Sequence, residues 1–390
     1  MKTEVETLIY LDYAATTPLS DSALSAFVQT SKTYFQNTES LHEGGLAARD
    51  LLEHARRTLA ELLGKDSEGI YFTGGGSDGN FLAVTSLAHG ANDKGKHIIS
   101  SNIEHPSVDY VLRFLENNGY EITRIPVQKN GKISINTLLS SIRPDTTLVT
   151  IQHVNSETGI VQNIKEISER LKERDVLFHS DCVQSFGKWD NRYFRSMSID
   201  AFTMSAHKIH GPKGTGAVYI SPSVHIAPLL SEVTHERGFR AGTVDLPSIA
   251  AFVTAAEEAF HLQHEHYQHA VDMRKQFISS ILTDKSIVFE GHDDSSPFII
   301  PIRTKGMEGQ IVMQELDRLK IAVSTGSACK NGQQAPSKTL LALGRSESEA
   351  HELVRISTSH QTTSEEITLL GKALIEITNT FRSVSEVITR

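Results

Sequence analysis

The chain has 390 residues, of which 39% are hydrophobic and 22% charged, and its formal net charge is −9. This length suffices for two domains with a large core, and the composition is ordinary for a globular protein. The acidic excess argues against direct nucleic-acid binding, and no apolar run reaches the length of a membrane span. The polar first residues give no secretory signal, and two cysteines, Cys182 and Cys329, allow no disulfide framework, so we expect a cytoplasmic protein.

The central part of the chain alternates short β-rich runs with helical patterns. Strands are predicted over 70–73, 97–101, 147–154, 176–178, 201–204 and 217–220. Helices are predicted over 77–88 and from Pro106, a favourable first position, to a stop at Gly119. This alternation predicts an α/β domain with a mostly parallel sheet, whose ligand lies beyond the carboxyl ends of the strands.

The remainder predicts a smaller α+β domain at the C-terminal end. A helical pattern over 247–282 leads into strands at 287–290 and 299–303 and a helix at 310–319. We expect a large domain over residues 17–258. The small domain then consists of residues 1–16 and 259–390.

Lys208 stands between an apolar run and a turn rich in Gly and Pro. A lysine held at a strand end, partly out of water, has its charged form disfavoured, and its amine can form a Schiff base with a carbonyl group. Pyridoxal phosphate is the commonest cofactor held in this way. A surface lysine before a tight turn is the alternative, and the other motifs of the chain decide against it.

Three more motifs suit the same cofactor. Gly76 and Ser77 follow a predicted strand and open a helix, where free N–H groups bind anions; a plain turn is the alternative. Asp181 ends an apolar run, where a carboxylate can bind a protonated pyridine nitrogen; a helix cap is the alternative. His105 precedes a helix, and the ordinary near-neutral pKa of an imidazole suits proton transfer; a satisfied polar residue is the alternative.

The segment 324–329 reads Ser-Thr-Gly-Ser-Ala-Cys and places Cys329 in a run of small residues. A thiolate is the strongest side-chain nucleophile near neutral pH, and small residues let such a loop move. An inert buried cysteine is the alternative. For Cys182, next to Asp181, we expect packing in the core.

These runs resemble the motifs of the cysteine desulfurases, a family within the class V aminotransferases. The resemblance rests on Ser-x-His-Lys-x-x-Gly-Pro-Lys-Gly at 205–214, His-x-Asp-x-x-Gln at 179–184, Arg-x-Gly-Thr at 240–243, Val-Arg-Ile-Ser at 354–357 and the Cys329 run. The motifs occur in family order from Tyr10 to about Ile367. The resemblance implies the fold type I of pyridoxal-phosphate transferases and the conversion of L-cysteine to L-alanine.

The resemblance also implies individual roles. Its catalytic residues are Lys208, His105 and Cys329, which becomes a persulfide and passes sulfur to an acceptor protein. Its cofactor contacts are Gly76, Ser77, His105, Ser156, Asp181, Gln184, Ser205, His207, Lys208 and Thr243, the last reaching the neighbouring site of a homodimer. Its substrate contacts are Arg355, which grips the carboxylate, with Asn155, Asn37 and Ala14.

The chain departs from the family pattern at Gly76, Ser156 and His360, where alanine, asparagine and arginine are usual. A selenocysteine lyase, another class V enzyme or an impaired sulfur-relay protein therefore stays open. The acceptor is an iron–sulfur scaffold, a thiamine-pathway carrier or a tRNA-thiolation enzyme, and we favour the last. We expect no metal site, and we interpret the histidines at 261, 264, 266 and 269 as a solvated helix face.

Overall fold

Three β-sheets organise the computed structural model, which describes residues 8–230, 232–325 and 335–388. In chain order the strands are β1 (Ile9–Tyr10), β2 (Ile70–Thr73), β3 (His97–Ser101), β4 (Glu121–Ile125), β5 (Thr146–Thr150), β6 (Leu177–Asp181), β7 (Ala201–Ser205), β8 (Gly216–Ile220), β9 (Ile287–Phe289), β10 (Ile299–Thr304), β11 (Ile321–Ala322) and β12 (Leu353–Ser357).

The α-helices surround these sheets. In chain order they are α1 (Asp21–Thr33), α2 (Glu43–Leu63), α3 (Gly76–Gly90), α4 (Pro106–Asn117), α5 (Ile135–Ser140), α6 (Ile164–Lys172), α7 (Asn191–Ser196), α8 (Leu246–His261), α9 (Gln263–Ile281), α10 (Gly309–Arg318), α11 (Lys338–Ala342), α12 (Glu347–His351) and α13 (Ser364–Ile388). Short 3₁₀ helices lie at Ser67–Gly69, Ala206–Lys208 and His235–Gly238. Within the described ranges, no helix is both long and apolar enough to cross a membrane.

The large sheet has seven strands in the order β2-β8-β7-β6-β5-β3-β4. Strand β8 runs antiparallel to both of its neighbours, and the other pairs in the sheet are parallel. The predicted α/β class with a mostly parallel sheet is therefore confirmed. Because parallel strands end at one edge, the residues that follow β3, β5, β6 and β7 meet there.

A second sheet, of order β12-β10-β9, is antiparallel and belongs to the C-terminal part of the chain. Strand β1 joins that part by pairing in parallel with β11, and Asp12 bridges to Ser357. One apolar cluster combines Leu11 with residues between Met273 and Leu374, whereas two others contain only residues between Ala23 and Phe260. The division at residues 16 and 258 stays a prediction that these clusters support.

The structure corrects three of the predicted elements. The pattern over 247–282 is two helices, because the backbone at Leu262, with φ −96° and ψ 8°, ends α8 before α9 begins. The strand predicted to reach residue 154 ends at Thr150, since the Gln152 N–H turns to the Glu104 carboxylate. Strand β6 extends to Asp181, beyond its predicted end at 178.

Candidate active site

Lys208 ends the 3₁₀ turn that follows β7 and lies beside the N-terminal segment. Its Nζ donates to the carbonyl oxygens of Ala14 and Ala15, both at 2.7 Å. Burial, together with the Arg355 guanidinium, lowers the pKa of the Lys208 ammonium to about 8. The free amine is therefore more abundant near neutral pH than in an ordinary lysine, and attack on a carbonyl requires this form.

A cavity of about 270 Å³ opens beside Lys208, and we call it the inner cavity. It is lined by Gly76, Ser77, Asn80, His105, Ser107, Ser156, Asp181, Val183, Gln184, Ser205, His207 and Lys208. All but three of these residues, Asn80, Ser107 and Val183, are among the cofactor contacts that the sequence predicts. The folding of β3, β6 and β7 into one sheet edge brings them together.

The polar atoms of the inner cavity fit a phosphorylated pyridine ring. Ser205 Oγ and Gln184 Oε1 are buried and have no partner among the described residues, although buried polar groups are almost always satisfied. No described side chain caps the first turn of α3, so the N–H groups near Gly76 and Ser77 are available to an anion. These unmet groups match the phosphate and the ring substituents of pyridoxal phosphate.

Asp181 and His105 are joined at one wall of the inner cavity. Asn80 Nδ2 lies 2.9 Å from Asp181 Oδ2 and 3.0 Å from Ser107 Oγ. Ser107 Oγ in turn lies 2.8 Å from His105 Nδ1. Burial lowers the pKa of the His105 imidazole, so the ring is held largely neutral at physiological pH.

A larger cleft of about 610 Å³ adjoins the inner cavity, and we call it the outer cleft. Lys208, His105, Gln184 and Ser156 line both spaces, and Ala14, Asn155 and Arg355 line the outer cleft alone.

Arg355, on β12, is the buried cation of the outer cleft. Its Nη2 donates to Asp12 Oδ1 at 2.7 Å and its Nη1 to the Ser156 carbonyl oxygen at 3.1 Å. Its Nε is buried and has no partner among the described residues. A guanidinium that is held in place and keeps a free donor suits recognition of a carboxylate.

Three residues that the sequence predicts for the site have no side chain free to bind a ligand in either space of this single chain. The side chain of Asn155 is committed to the protein, because Oδ1 accepts from Glu157 and Thr158 while Nδ2 donates to Ile103 and Thr339. Asn37 and Thr243 are exposed and line neither the inner cavity nor the outer cleft of this single chain.

The two cysteines differ in what the structure describes. Cys329 lies outside the described residues, which end at Thr325 and resume at Ala335. At the near end of that gap, Ser324 pairs through its backbone with Arg355. Cys182 is 0% exposed in the main core, and burial raises its pKa to about 12, which confirms a packing role.

Val183 explains the glycine at position 76. A Cβ built on Gly76 would lie 2.7 Å from Val183 Cγ2. We expect Gly76→Ala to lower the free energy of unfolding by about 1–3 kcal/mol, the usual cost of overpacking beside a stiff β-branched residue. Denaturant unfolding measures the effect, and Val183→Ala in the same chain should restore most of the loss. Equal stability of Gly76→Ala and the parent would contradict this account.

The predicted solvated histidine face is only half right. His261 and His264 are exposed, but His266 is half-buried and stacks on His360, with ring centroids 4.3 Å apart. His210 lies 4.7 Å from the same His360 ring. The break at Leu262 turns α9 so that His266 faces the protein. Among the described residues, no group of acidic, histidine and cysteine side chains is arranged to hold a metal ion.

We expect this histidine cluster to make the protein acid-sensitive. Burial lowers the pKa of His210 and of His266 to about 4, and it also lowers the pKa of His360. The unfolded chain, whose histidines titrate near about 6.5, then binds more protons than the folded chain. The stabilisation is complete above about pH 6.5 and is lost as the pH falls towards 4.

Urea midpoints measured between pH 7.5 and pH 4.5 test this expectation. Glu258 and Lys188 face the same cluster and titrate in parent and variant alike. The fall in midpoint should be shallower in His266→Phe, which keeps a stacked ring, and unchanged in His264→Phe. If the urea midpoint fell equally steeply with pH in His266→Phe and in His264→Phe, the cluster would have no role in acid sensitivity.

Three site residues were not predicted from the sequence: Asn80, Ser107 and Asp12. Asn80 is four residues after Gly76 on α3 and so lies on the same helix face, a spacing that makes it detectable. Ser107 is two residues after His105 and contacts it locally at the start of α4. Asp12 carries no comparable signal, because only the fold brings it to Arg355.

Comparisons with known proteins agree with this geometry. The family model described as aminotransferase class-V matches residues 9–370. A putative cysteine desulfurase NifS from Bacillus subtilis is 43% identical over 364 residues, which cover 92% of this chain and 92% of the relative.

Solved structures of NifS-like and related proteins are similar to this chain over most of its length. A NifS-like protein matches with a TM-score of 0.88 and 27% identity, covering 96% of this chain and 100% of the other. A structure of SspA in complex with cysteine matches with a TM-score of 0.78 and 32% identity, covering 90% of this chain and 98% of the other.

Proposed function

The chain belongs to the class V aminotransferase family and is a pyridoxal-phosphate-dependent cysteine desulfurase, and on that premise we propose which residues perform the reaction. The observation that carries the assignment is that Lys208 lines both the inner cavity and the outer cleft. A single amine thus faces the place of the cofactor and the place of the amino-acid substrate. When bound, pyridoxal phosphate supplies an electron sink for negative charge at the substrate Cα.

We assign the inner cavity to the cofactor. Gly76, Ser77, Ser205 and His207 bind the phosphate, Asp181 binds the ring nitrogen, Gln184 binds the ring hydroxyl and His105 lies against the ring. Ser156 borders the same space, and a water molecule can bridge the distance from its short side chain to the cofactor. Lys208 holds the cofactor covalently through Nζ.

We assign the outer cleft to L-cysteine. Arg355 binds the substrate carboxylate, because its Nε is buried and unmet while Asp12 and the Ser156 carbonyl hold the rest of the guanidinium. Ala14 lines the outer cleft, and Asn155 holds its loop in shape. Lys208 Nζ removes the proton from the substrate Cα, and His105 donates a proton in the later steps.

Cys329 takes the sulfur. Its thiolate attacks the substrate sulfur, so that the S–S bond of a persulfide forms while the Cβ–S bond of cysteine breaks. The electron pair of the broken bond is protonated at Cβ, which becomes the methyl group of L-alanine. The two thiol hydrogens are thereby divided between alanine and persulfide, and no external oxidant is needed.

The persulfide is then passed to an acceptor protein, for which we favour an enzyme of tRNA thiolation over an iron–sulfur scaffold. A homodimer is also part of the proposal: Thr243 is exposed, as expected of a residue that completes the neighbouring site, and Asn37 is exposed in the same way. A cytoplasmic location fits the reducing conditions that a reactive thiol needs.

Incubation of the purified protein with L-cysteine, without reductant, tests the function. We expect L-alanine in amounts that match persulfide on Cys329, mapped by peptide mass spectrometry, and no persulfide on Cys182. Cys329→Ser should form no protein-bound persulfide and transfer no sulfur in a survey of acceptor proteins. Alanine without modified Cys329 would overturn its role, and transfer only to an iron–sulfur scaffold would overturn the choice of acceptor.

A further inference from the structure

Four polar side chains from three different elements form a chain of hydrogen bonds across the inner cavity wall. It runs from Asp181 at the end of β6, through Asn80 on α3, to Ser107 and His105 at the start of α4. The distances along it are 2.9, 3.0 and 2.8 Å. Asn80, Ser107 and Asp181 are all at least nine-tenths buried, so water does not replace these bonds.

The direction of each bond follows from donor and acceptor counts. A carboxylate oxygen accepts, so the NH₂ end of Asn80 faces Asp181 and gives its second N–H to Ser107 Oγ. The Ser107 hydroxyl proton is then directed to His105 Nδ1, and the Ser107 backbone N–H points to the same nitrogen at 3.2 Å. Two donors therefore converge on Nδ1, which has to accept.

This arrangement determines where the proton of the neutral imidazole resides. A neutral histidine carries one proton, and an Nδ1 that accepts two hydrogen bonds leaves that proton on Nε2. Nε2 has no partner among the described residues, and His105 lines both the inner cavity and the outer cleft. The nitrogen that is left to face the reacting atoms is thus the one that bears the proton.

We propose that Ser107 is a positioning residue that holds His105 in its Nε2–H tautomer, so that His105 meets the bound substrate as a proton donor rather than as a base. The inference rests on the proposed function for the identity of the reaction, but the tautomer itself is a property of the folded chain. It separates the two proton carriers of the site: Lys208 Nζ accepts the Cα proton, and His105 Nε2 returns a proton.

The tautomer is measured directly by NMR of protein with ¹⁵N-labelled histidine, in which His105→Gln identifies the His105 signals. We expect an unprotonated Nδ1 and a protonated Nε2 in the parent at pH 8. In Ser107→Ala only the longer backbone contact remains, and a mixture of tautomers is expected. Ser107→Thr keeps the hydroxyl and should restore the parent spectrum. This readout needs no turnover, so its outcome is distinguishable from failure of the desulfurase assignment.

Kinetics supply a second, coupled test. We expect Ser107→Ala to lower kcat for L-alanine formation about tenfold with KM within about twofold, in line with the loss of one orienting hydrogen bond. In a His105→Gln background the same substitution should change kcat by less than about twofold, because the residue that it orients is gone. Ser100→Ala is the matched control, since Ser100 Oγ on β3 is buried without a partner in the described structure.

The pH dependence of kcat also reflects the charged groups near His105. These are Asp181, Lys208, Asp109 and Arg355, and all variants retain them. A change in the shape of the pH–kcat profile that appears in Ser107→Ala and is absent in Ser107→Thr supports positioning of His105 by the Ser107 hydroxyl. An Nε2–H tautomer that persists fully in Ser107→Ala, or a tenfold loss that persists in the His105→Gln background, would overturn the proposal.

Discussion

Lys208→Ala is expected to purify without the visible absorbance of a lysine-bound cofactor and to lose about 10³-fold or more of its L-alanine formation. The loss follows because a methyl group can neither hold the cofactor covalently nor accept the Cα proton. The fold should survive, since the Ala14 carbonyl oxygen keeps a hydrogen bond from Gln184 Nε2 at 2.9 Å. Absorbance spectra and an alanine assay give both readouts.

Lys213→Ala is the matched control for this experiment, because Lys213 is exposed in the turn that follows Lys208. It should keep both colour and activity. A Lys208→Ala protein with the parent's absorbance would show that another amine holds the cofactor.

Arg355→Lys should raise KM for L-cysteine about 10²-fold and leave kcat within about threefold. A lysine keeps the charge but not the planar fork, so it cannot bind Asp12, the Ser156 carbonyl oxygen and a carboxylate together. Loss of hydrogen bonds to a charged group costs about 1.5–3 kcal/mol, which corresponds to that change in affinity. Steady-state kinetics with L-cysteine measure it.

The control is Arg318→Lys on α10, an exposed arginine that pairs with Glu315 and should behave as the parent. An unchanged KM in Arg355→Lys would place the carboxylate elsewhere in the outer cleft. A fall in kcat with an unchanged KM would instead mean that Arg355 acts on the reaction rather than on binding.

The large sheet was predictable because its strands are short apolar runs bracketed by turn residues, and β2 and β3 match their predicted limits. Asp181 was predictable because it ends such a run, and Lys208 and His105 were predictable because they lie in the short segments that follow one. Strand β4 was missed, since it lies at the sheet edge and its sequence, Glu-Ile-Thr-Arg-Ile, is mostly polar.

What the sequence cannot supply is contact between distant segments. The helix break at Leu262 is not marked by Gly, Pro or another turn residue in the sequence. It nevertheless directs α9 so that His266 contacts His360. The bond from Asn80 to Ser107 joins two helices whose spacing depends on the sheet beneath them. The fit of Gly76 to Val183 is likewise a matter of packing, which residue types alone do not determine.

Segments far apart in the sequence meet at Arg355, the residue that we propose binds the substrate carboxylate. Arg355 Nη2 binds Asp12, and the Ala14 N–H binds Ser357 Oγ at 2.9 Å, each across 343 residues of sequence. During synthesis, the first of these residues therefore leave the ribosome long before their partners exist. A nascent chain that has completed the large sheet still lacks Arg355 and Ser357, the partners of Asp12 and Ala14. The arginine that we propose for the substrate carboxylate is consequently among the last parts of the site to form, after the residues of the large sheet that line the inner cavity.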